Sequence, residues 1–344
     1  MSTTSTSQSN HKTQDHNKPQ LPLADIKEAY KKIAHLTRQT PTWLWESSFF
    51  SNLLGKETEL YLKLELFQPG GSFKPRGALM NMLALDTEQL EHGVTAVSAG
   101  NHAIATAYAA GILDTTAKVV MPRSASSARV DKCKSLGAEV VLVDNVHEAF
   151  DEVRRIGEEE NRSFIHPFEG ELTALGTAGV GLELIQQVPN LEAVIVPIGG
   201  GGLCAGIAAA IKQTNPDCKI YGIEPEGADT MHLSFEAGEP QAIDEVTTIA
   251  DSLGAPHAAP YSFALCRTYV DQLIRITDQQ MRNAMKLLFD EMKLAVEPAG
   301  AATTAALFTD LDKKLSGKKV GLIVCGTNYD TKRFCKQVSK ADLP

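Results

Sequence analysis

The sequence predicts an α/β protein of parallel, doubly wound sheets, and three features carry that expectation. Apolar runs of strand length alternate with helix-length amphipathic or alanine-rich runs along most of the chain. The turns from strands into helices are rich in Gly, Ser and Asn, and folds of this class take their ligands at the carboxyl ends of their strands. The length, 344 residues, suits about two domains with sizeable cores.

A first helix is expected from Leu23 to Leu36, where Leu23, Ile26, Tyr30, Ile33 and Leu36 share one face. Thr40-Pro41-Thr42 ends it, and Trp43, Leu44 and Trp45 open a new segment in which the tryptophans read as packing residues. Strands are then expected at 60–64, 94–98, 118–121, 139–143, 163–166, 193–198, 219–223, 272–276 and 320–325. Helices are expected at 78–85, 101–111, 126–136, 146–161, 174–187, 203–212, 278–292 and 299–311. There is no internal repeat.

Composition excludes several classes. The net charge of −9 argues against nucleic acid or an anionic membrane surface as partner. No apolar run approaches the ~20 residues that span a bilayer. Residues 1–20 are rich in Ser, Thr, Asn and Gln and carry no apolar core, so a disordered tail is expected there rather than a secretory signal. The six cysteines are scattered without a CxxC pair, which fits reduced thiols and a cytoplasmic protein. His147, His166, His232 and His257 lack ligand spacing and read as structural or exposed.

Five stretches carry chemistry. In Gly70-Gly71-Ser72-Phe73-Lys74-Pro75-Arg76-Gly77-Ala78 one lysine follows a strand and a small-residue turn and opens a helix. Taken alone, Lys74 reads as a solvated charge. Beside a cation or an apolar wall its pKa falls, and the neutral amine can form a Schiff base with an aldehyde. Ser98-Ala99-Gly100-Asn101-His102 starts an alanine-rich helix, whose free N–H groups suit a carboxylate or phenolate; Asn101 also suits a plain N-cap. Gly199-Gly200-Gly201-Gly202-Leu203 joins an apolar strand to a helix, where converging N–H groups can hold a phosphate. Glu224 follows about 20 residues later at the end of the next strand, so a dinucleotide site stays open. Cys325, closing the last strand, reads alone as an inert buried thiol, and Glu297 opens a helix, where a carboxylate is favoured in any case.

In this order, over roughly residues 22 to 335, the motifs resemble fold-type II pyridoxal 5′-phosphate (PLP) enzymes of the serine/threonine dehydratase and serine racemase group. The resemblance implies two doubly wound domains with PLP in the cleft between them. Residues 90–168 would form a small inserted domain, and 21–89 with 169–344 the large one. It implies that Lys74 holds the cofactor and is the catalytic base, with Phe73 packed beside it. Asn101 would contact the cofactor's 3-oxygen, and the loop Ser98, Ala99, Gly100, Asn101, His102 would grip the substrate carboxylate. Gly199, Gly200, Gly201, Gly202 and Leu203 would hold the phosphate. Cys325 would face the pyridine nitrogen, as in liver-type serine dehydratases, with Glu297 near the ring edge. Arg76 would serve the phosphate or the local fold, and Phe168 would lie near the cofactor. Glu224 and Ala228 match part of the cation site of serine racemases, for a mono- or divalent ion. Thr230, however, stands where those proteins carry an aspartate.

The implied reaction is elimination from a β-hydroxy amino acid, L-threonine first and L-serine second, giving a 2-oxo acid and ammonia. Serine racemases place a serine where Ala99 stands, and alanine carries no proton, which speaks for one-base elimination. Cys325 without a formal charge leaves the ring a poorer electron sink, which suits loss of a β-substituent. With ~16 residues after Asn328, the chain resembles the short, catabolic form without a regulatory domain, and a homodimer or homotetramer is implied. The alternatives are a racemase, a hydroxyaspartate dehydratase, an NAD-dependent dehydrogenase resting on Gly199–Gly202 and Glu224, and a non-catalytic binding protein, which would not need Lys74.

Overall fold

The structure, a computed structural model, describes residues 19–144 and 146–343, without the side chains of residues 146 and 147. The expected tail therefore lies almost wholly outside the described residues, as does the His147 side chain. The described strands are β1 (Thr42–Leu44), β2 (Glu59–Lys63), β3 (Val94–Val97), β4 (Ala117–Pro122), β5 (Glu139–Val143), β6 (Ser163–Phe164), β7 (Ala193–Pro197), β8 (Lys219–Pro225), β9 (Gln272–Ile276) and β10 (Lys319–Ile323). They form a six-stranded sheet in the order β1-β2-β10-β7-β8-β9 and a four-stranded sheet in the order β5-β4-β3-β6. Every pairing is parallel except β1 with β2. The strands of the smaller sheet run between residues 94 and 164, and those of the larger sheet lie on both sides of that stretch.

Burial explains the strand sequences. Parallel strands covered on both faces read as continuous apolar runs, and β7 and β3 are buried at every position. Close helix packing over the larger sheet depends on small residues. The helices Glu171–Gln187 and Gly202–Thr214 touch through Gly206, where an added Cβ would lie 2.4 Å from the Ala174 carbonyl oxygen. The chain order and the carboxyl-end turns match the reading from sequence, with most strand ends within two residues.

The differences have local causes. β6 stops at Phe164 because His166 turns the chain: its Nδ1 accepts hydrogen bonds from the N–H groups of Phe168 and Glu169. The helix expected to reach residue 311 ends at Ala305, and a short 3-10 turn and the helix Leu311–Leu315 follow. The edge strand β1 and the helices Ser48–Leu54, Thr87–His92, Thr230–Ala237, Pro260–Tyr269 and Thr331–Val338 were not expected. Of the two tryptophans, Trp45 is buried, edge-on to Phe50, and donates to Glu291. Trp43 is 59% exposed on the outer edge of the sheet, so the packing role expected of it does not hold within this chain.

Beneath the helix that begins after Lys74 lies a buried charge cluster. Arg76 pairs with Glu65 through Nε and Nη2 at 2.8 Å, and its Nη1 lies 2.8 Å from Glu183 Oε1. Lys63 Nζ bonds to Glu183 Oε2 at 2.6 Å and to the Thr40 carbonyl at 2.7 Å. Two cations meet two carboxylates, all at 1% exposure or less. Arg76 thus serves the local fold and not a phosphate. Removing one member of a buried ionic set leaves an uncompensated charge. Arg76→Met is expected to lower the unfolding free energy by about 3–5 kcal/mol in a urea titration; a change under about 1 kcal/mol would mean the cluster is not mutually supporting.

Candidate active site

Lys74 is positioned by backbone geometry on both sides. Two glycines with left-handed φ, Gly70 (81°) and Gly71 (79°), swing the chain out of β2. Pro75 then starts the helix Pro75–Met82, where a missing N–H costs nothing. The stretch is laced to the end of β10: Phe73 N–H donates to the Cys325 carbonyl and Thr327 N–H to that of Gly71. This brings Cys325, two residues beyond the last strand, beside a lysine some 250 residues earlier in the chain.

Lys74 Nζ donates to the Pro167 carbonyl at 2.5 Å and stands 5.2 Å from the Phe73 ring centre. Burial lowers its pKa from 10.5 to about 8, with Cys325 and Glu297 pulling weakly the other way. The amine is therefore neutral in a substantial fraction of molecules near pH 8. A narrow cleft opens beside it, lined among others by Asn101, Phe168, Gly199–Gly202, Ser252, Glu297 and Cys325. Most of the expected site residues thus meet at one place.

The glycine loop is shaped by close approach. Gly201 has φ +94°. A Cβ on Gly202 would sit 2.2 Å from the Phe168 carbonyl oxygen, and one on Gly200 would enter the Phe168 ring. Gly202 and Leu203 open the helix Gly202–Thr214, whose first N–H groups have no helical acceptor. Glu297 is fully buried, and desolvation raises its pKa. Its Oε1 accepts from Asn101 Nδ2 at 2.5 Å, and the Asn101 Oδ1 accepts from Asn328 Nδ2 at 2.7 Å. The Cys325 thiol donates weakly to the Ala299 carbonyl at 3.3 Å, and burial holds its pKa well above 9, so it stays protonated.

The start of the helix Asn101–Ile112 is less uniform. Ser98 Oγ accepts from Gly100 N–H, and Ala99 ends in a methyl group. His102 is buried, with Nε2 2.7 Å from the Ile165 carbonyl. Burial lowers its pKa to about 3, so it is a neutral ring braced against β6's extension rather than a charged anion ligand. His166, expected as structural or exposed, lies behind Lys74 in a second small cavity, its pKa lowered by burial to about 4.

The suggested cation position has other partners. Glu224 Oε1 accepts from Met231 N–H, and Oε2 from His232 N–H, with His232 Nδ1 at 2.7 Å from Oε2. Ala228 N–H bonds to the Pro225 carbonyl. Nitrogen donors fill the carboxylate that a cation would need, so the residues present do not fit an ion and none is used below. The Glu224 carboxylate is taken up by the start of the helix Thr230–Ala237.

Two residues of the site were not found from sequence. Arg129 touches Asp251, Glu297 and the Asn328 carbonyl. It lies in a helix with Asp131, Lys132 and Lys134 and reads there as one more solvated charge. Ser252 lines the cleft from the short 3-10 turn Asp251–Leu253.

The site fits PLP on its own geometry: a partly neutral buried amine for the aldehyde, a glycine cradle at a helix start for the phosphate, and a protonated thiol for the ring nitrogen. Two outcomes follow. Gly202→Ala is expected to fold and to weaken PLP binding by at least about tenfold, read by fluorescence titration, since the backbone of Phe168 must move. In the PLP-free protein the unfolding free energy is expected to rise between about pH 8 and 10.5. In that window the unfolded chain keeps a Lys74 proton that the folded chain lacks, so stability grows with pH. Lys74→Met should remove that increment; an equal rise in the variant would contradict the lowered pKa.

Comparison with known proteins agrees with this geometry. A model of the family described as pyridoxal-phosphate dependent enzyme matches residues 35–326. A phenylserine dehydratase of Ralstonia pickettii is 51% identical over 92% of this chain and 96% of its own. An L-threonine ammonia-lyase of Thermotoga maritima is 36% identical over 93% and 79%. The solved structure of maize serine racemase superimposes with a TM-score of 0.85 at 37% identity, covering 92% of this chain and 97% of that one. With a lysine, a glycine cradle and a strand-end thiol in one cleft between parallel sheets, the chain belongs to the fold-type II PLP-dependent enzymes that dehydrate or racemise β-hydroxy amino acids.

Proposed function

We propose that the protein dehydrates β-hydroxy amino acids, with the aryl-bearing 3-phenylserine the first substrate and L-threonine the second, releasing a 2-oxo acid and ammonia. The observation that carries the elimination is the single amine base, Lys74, at about pKa 8, facing a helix start whose Ala99 has no hydroxyl to return a proton. The aryl preference rests on the 51% identity to a phenylserine dehydratase, against 36% to the L-threonine ammonia-lyase of Thermotoga maritima. That second relative supports threonine, the substrate expected from sequence, as the alternative.

In this reading Lys74 anchors the cofactor, and the N–H groups of Gly200–Leu203 take its phosphate. Phe73 lies beside the amine, while Asn101 and Glu297 would line the polar edge of the ring and Cys325 would serve its nitrogen. Bound PLP supplies the electron withdrawal that makes the substrate's α-proton acidic. The N-terminal N–H groups of the helix Asn101–Ile112, with Ser98 and Gly100, orient the substrate carboxylate. The neutral Lys74 amine would take the substrate's α-proton at Nζ. Its new ammonium is then able to hand a proton to the departing β-hydroxyl, which leaves as water. The enamine product tautomerises to an imine, and water cleaves that to the 2-oxo acid and ammonia.

The test is an absorbance spectrum of the holoprotein, with oxo acid and ammonia assayed after each amino acid is added. The Schiff-base band is expected in the wild type and absent in Lys74→Ala. Phenylserine should give phenylpyruvate with kcat/KM at least about tenfold above that for threonine giving 2-oxobutyrate. The reverse ranking would favour the threonine reading. A band with no oxo acid from either would overturn the substrate class, and D-serine formed from L-serine without oxo acid would overturn elimination.

A further inference from the structure

Arg129 is 4% exposed, lies outside the cavity lining, and makes four hydrogen bonds to groups that are all remote in sequence. It projects from the helix Ser127–Ser135, which joins β4 to β5 in the smaller sheet. Its partners belong to the other side of the cleft. Nη1 meets Asp251 Oδ2 at 2.6 Å and Nη2 meets Oδ1 at 3.2 Å, while Nη2 also reaches Glu297 Oε2 at 3.3 Å. Nε donates to the Asn328 carbonyl at 2.8 Å. The guanidinium packs flat against Gly100, where an added Cβ would lie 2.9 Å from its carbon. Only a planar fork can address two carboxylates and a carbonyl at once.

These contacts close a ring. Asn328 Nδ2 bonds to Asn101 Oδ1, Asn101 Nδ2 to Glu297 Oε1, and Glu297 Oε2 returns to Arg129. Every bond in it constrains a residue that lines the cleft or braces one that does. We propose that Arg129 is a positioning residue, holding Asn101 and Glu297 in register with the ring edge of the bound cofactor by bridging the two sheets across the cleft. The proposal rests on the roles given to Asn101 and Glu297 above. Electrostatics agree with it. Glu297 is buried and faces Asp251 from the turn Asp251–Leu253, Asn101 and Ser252, Cys325 from the end of β10, Lys74, and Arg129. Of the charges near it, the guanidinium is the strongest influence favouring its ionised form. Without it, a carboxylate that desolvation and Asp251 already destabilise would shift further toward its protonated form.

The test compares wild type, Arg129→Met and Arg129→Lys as holoproteins and, after PLP removal, as PLP-free proteins titrated with PLP. In Arg129→Met the visible band is expected to shift, and kcat to fall about tenfold to a hundredfold, the range seen when supporting partners are lost. PLP affinity should stay within about threefold, because the glycine cradle is untouched. Arg129→Lys should recover part of the band position and rate. A band and kcat within about twofold of wild type in Arg129→Met would overturn the proposal. So would loss of PLP affinity and of thermal stability in step with kcat, with no recovery in Arg129→Lys, since that is a purely structural role. Should Arg129→Met fail to fold, Asp251→Asn decides: a displaced band with a lowered kcat supports the proposal, and an unchanged spectrum and rate overturns it. If the wild type shows the band but dehydrates nothing, the substrate reading fails while the band positions still judge Arg129.

Discussion

An amine held under packed protein with only a carbonyl oxygen to bond to is the constraint on which this structure turns. Lys74 gives its hydrogen bond to Pro167 rather than to a carboxylate, and desolvation brings its pKa down to about 8. An ion pair in the same position would have kept it charged and inert as a nucleophile. The fold is arranged to permit this unpaired burial. The site lies beyond the carboxyl ends of β7 and β10, where the glycine loop and Cys325 follow those strands. The nearest acids, Glu297 and Cys325, are themselves buried, and desolvation raises both.

Two sets of buried charges surround that site and do different work. Lys63, Glu65, Arg76 and Glu183 neutralise one another beneath the helix that follows Lys74 and fix its starting point. Arg129, Asp251 and Glu297 lie on the opposite wall, where the charge reaches the cleft through Asn101. Keeping the ionic clusters on either side, and apolar or neutral groups around the amine itself, separates the control of stability from the control of reactivity. His102 and His166 fit this division: both rings lie close to Lys74, and burial keeps both neutral at physiological pH.

Much of this was legible in the sequence because strand ends announce themselves. The lysine, asparagine and glycine motifs each follow a run of strand length and open a helix, Cys325 closes the last such run and Glu297 precedes a helix, so these turns could be singled out from the sequence. The resemblance to PLP enzymes supplied which group each would face. What stayed hidden depended on partners distant in sequence. Arg129 sits among Asp131, Lys132 and Lys134 and differs from them only through what its helix meets across the cleft. Glu183, by contrast, was a missed signal: a lone carboxylate inside the apolar helix Glu171–Gln187 had to be paired. β1 was hidden because a three-residue edge strand is held by backbone pairing to β2, and its outward Trp43 breaks the rule that an aromatic in a strand is buried. Glu224 looked like a ligand for a cation or a ribose, and only the coordinates reveal that Met231 and His232 satisfy it.

The account stands or falls on Lys74 as the point of cofactor attachment. The direct measurement is borohydride reduction of the PLP-loaded protein, followed by proteolysis and mass mapping. The account predicts a phosphopyridoxyl mass on the peptide that contains Lys74 and on no other, formed in proportion to the visible band lost. Attachment at a different lysine, or full recovery of the unmodified Lys74 peptide after the band is bleached, would contradict it.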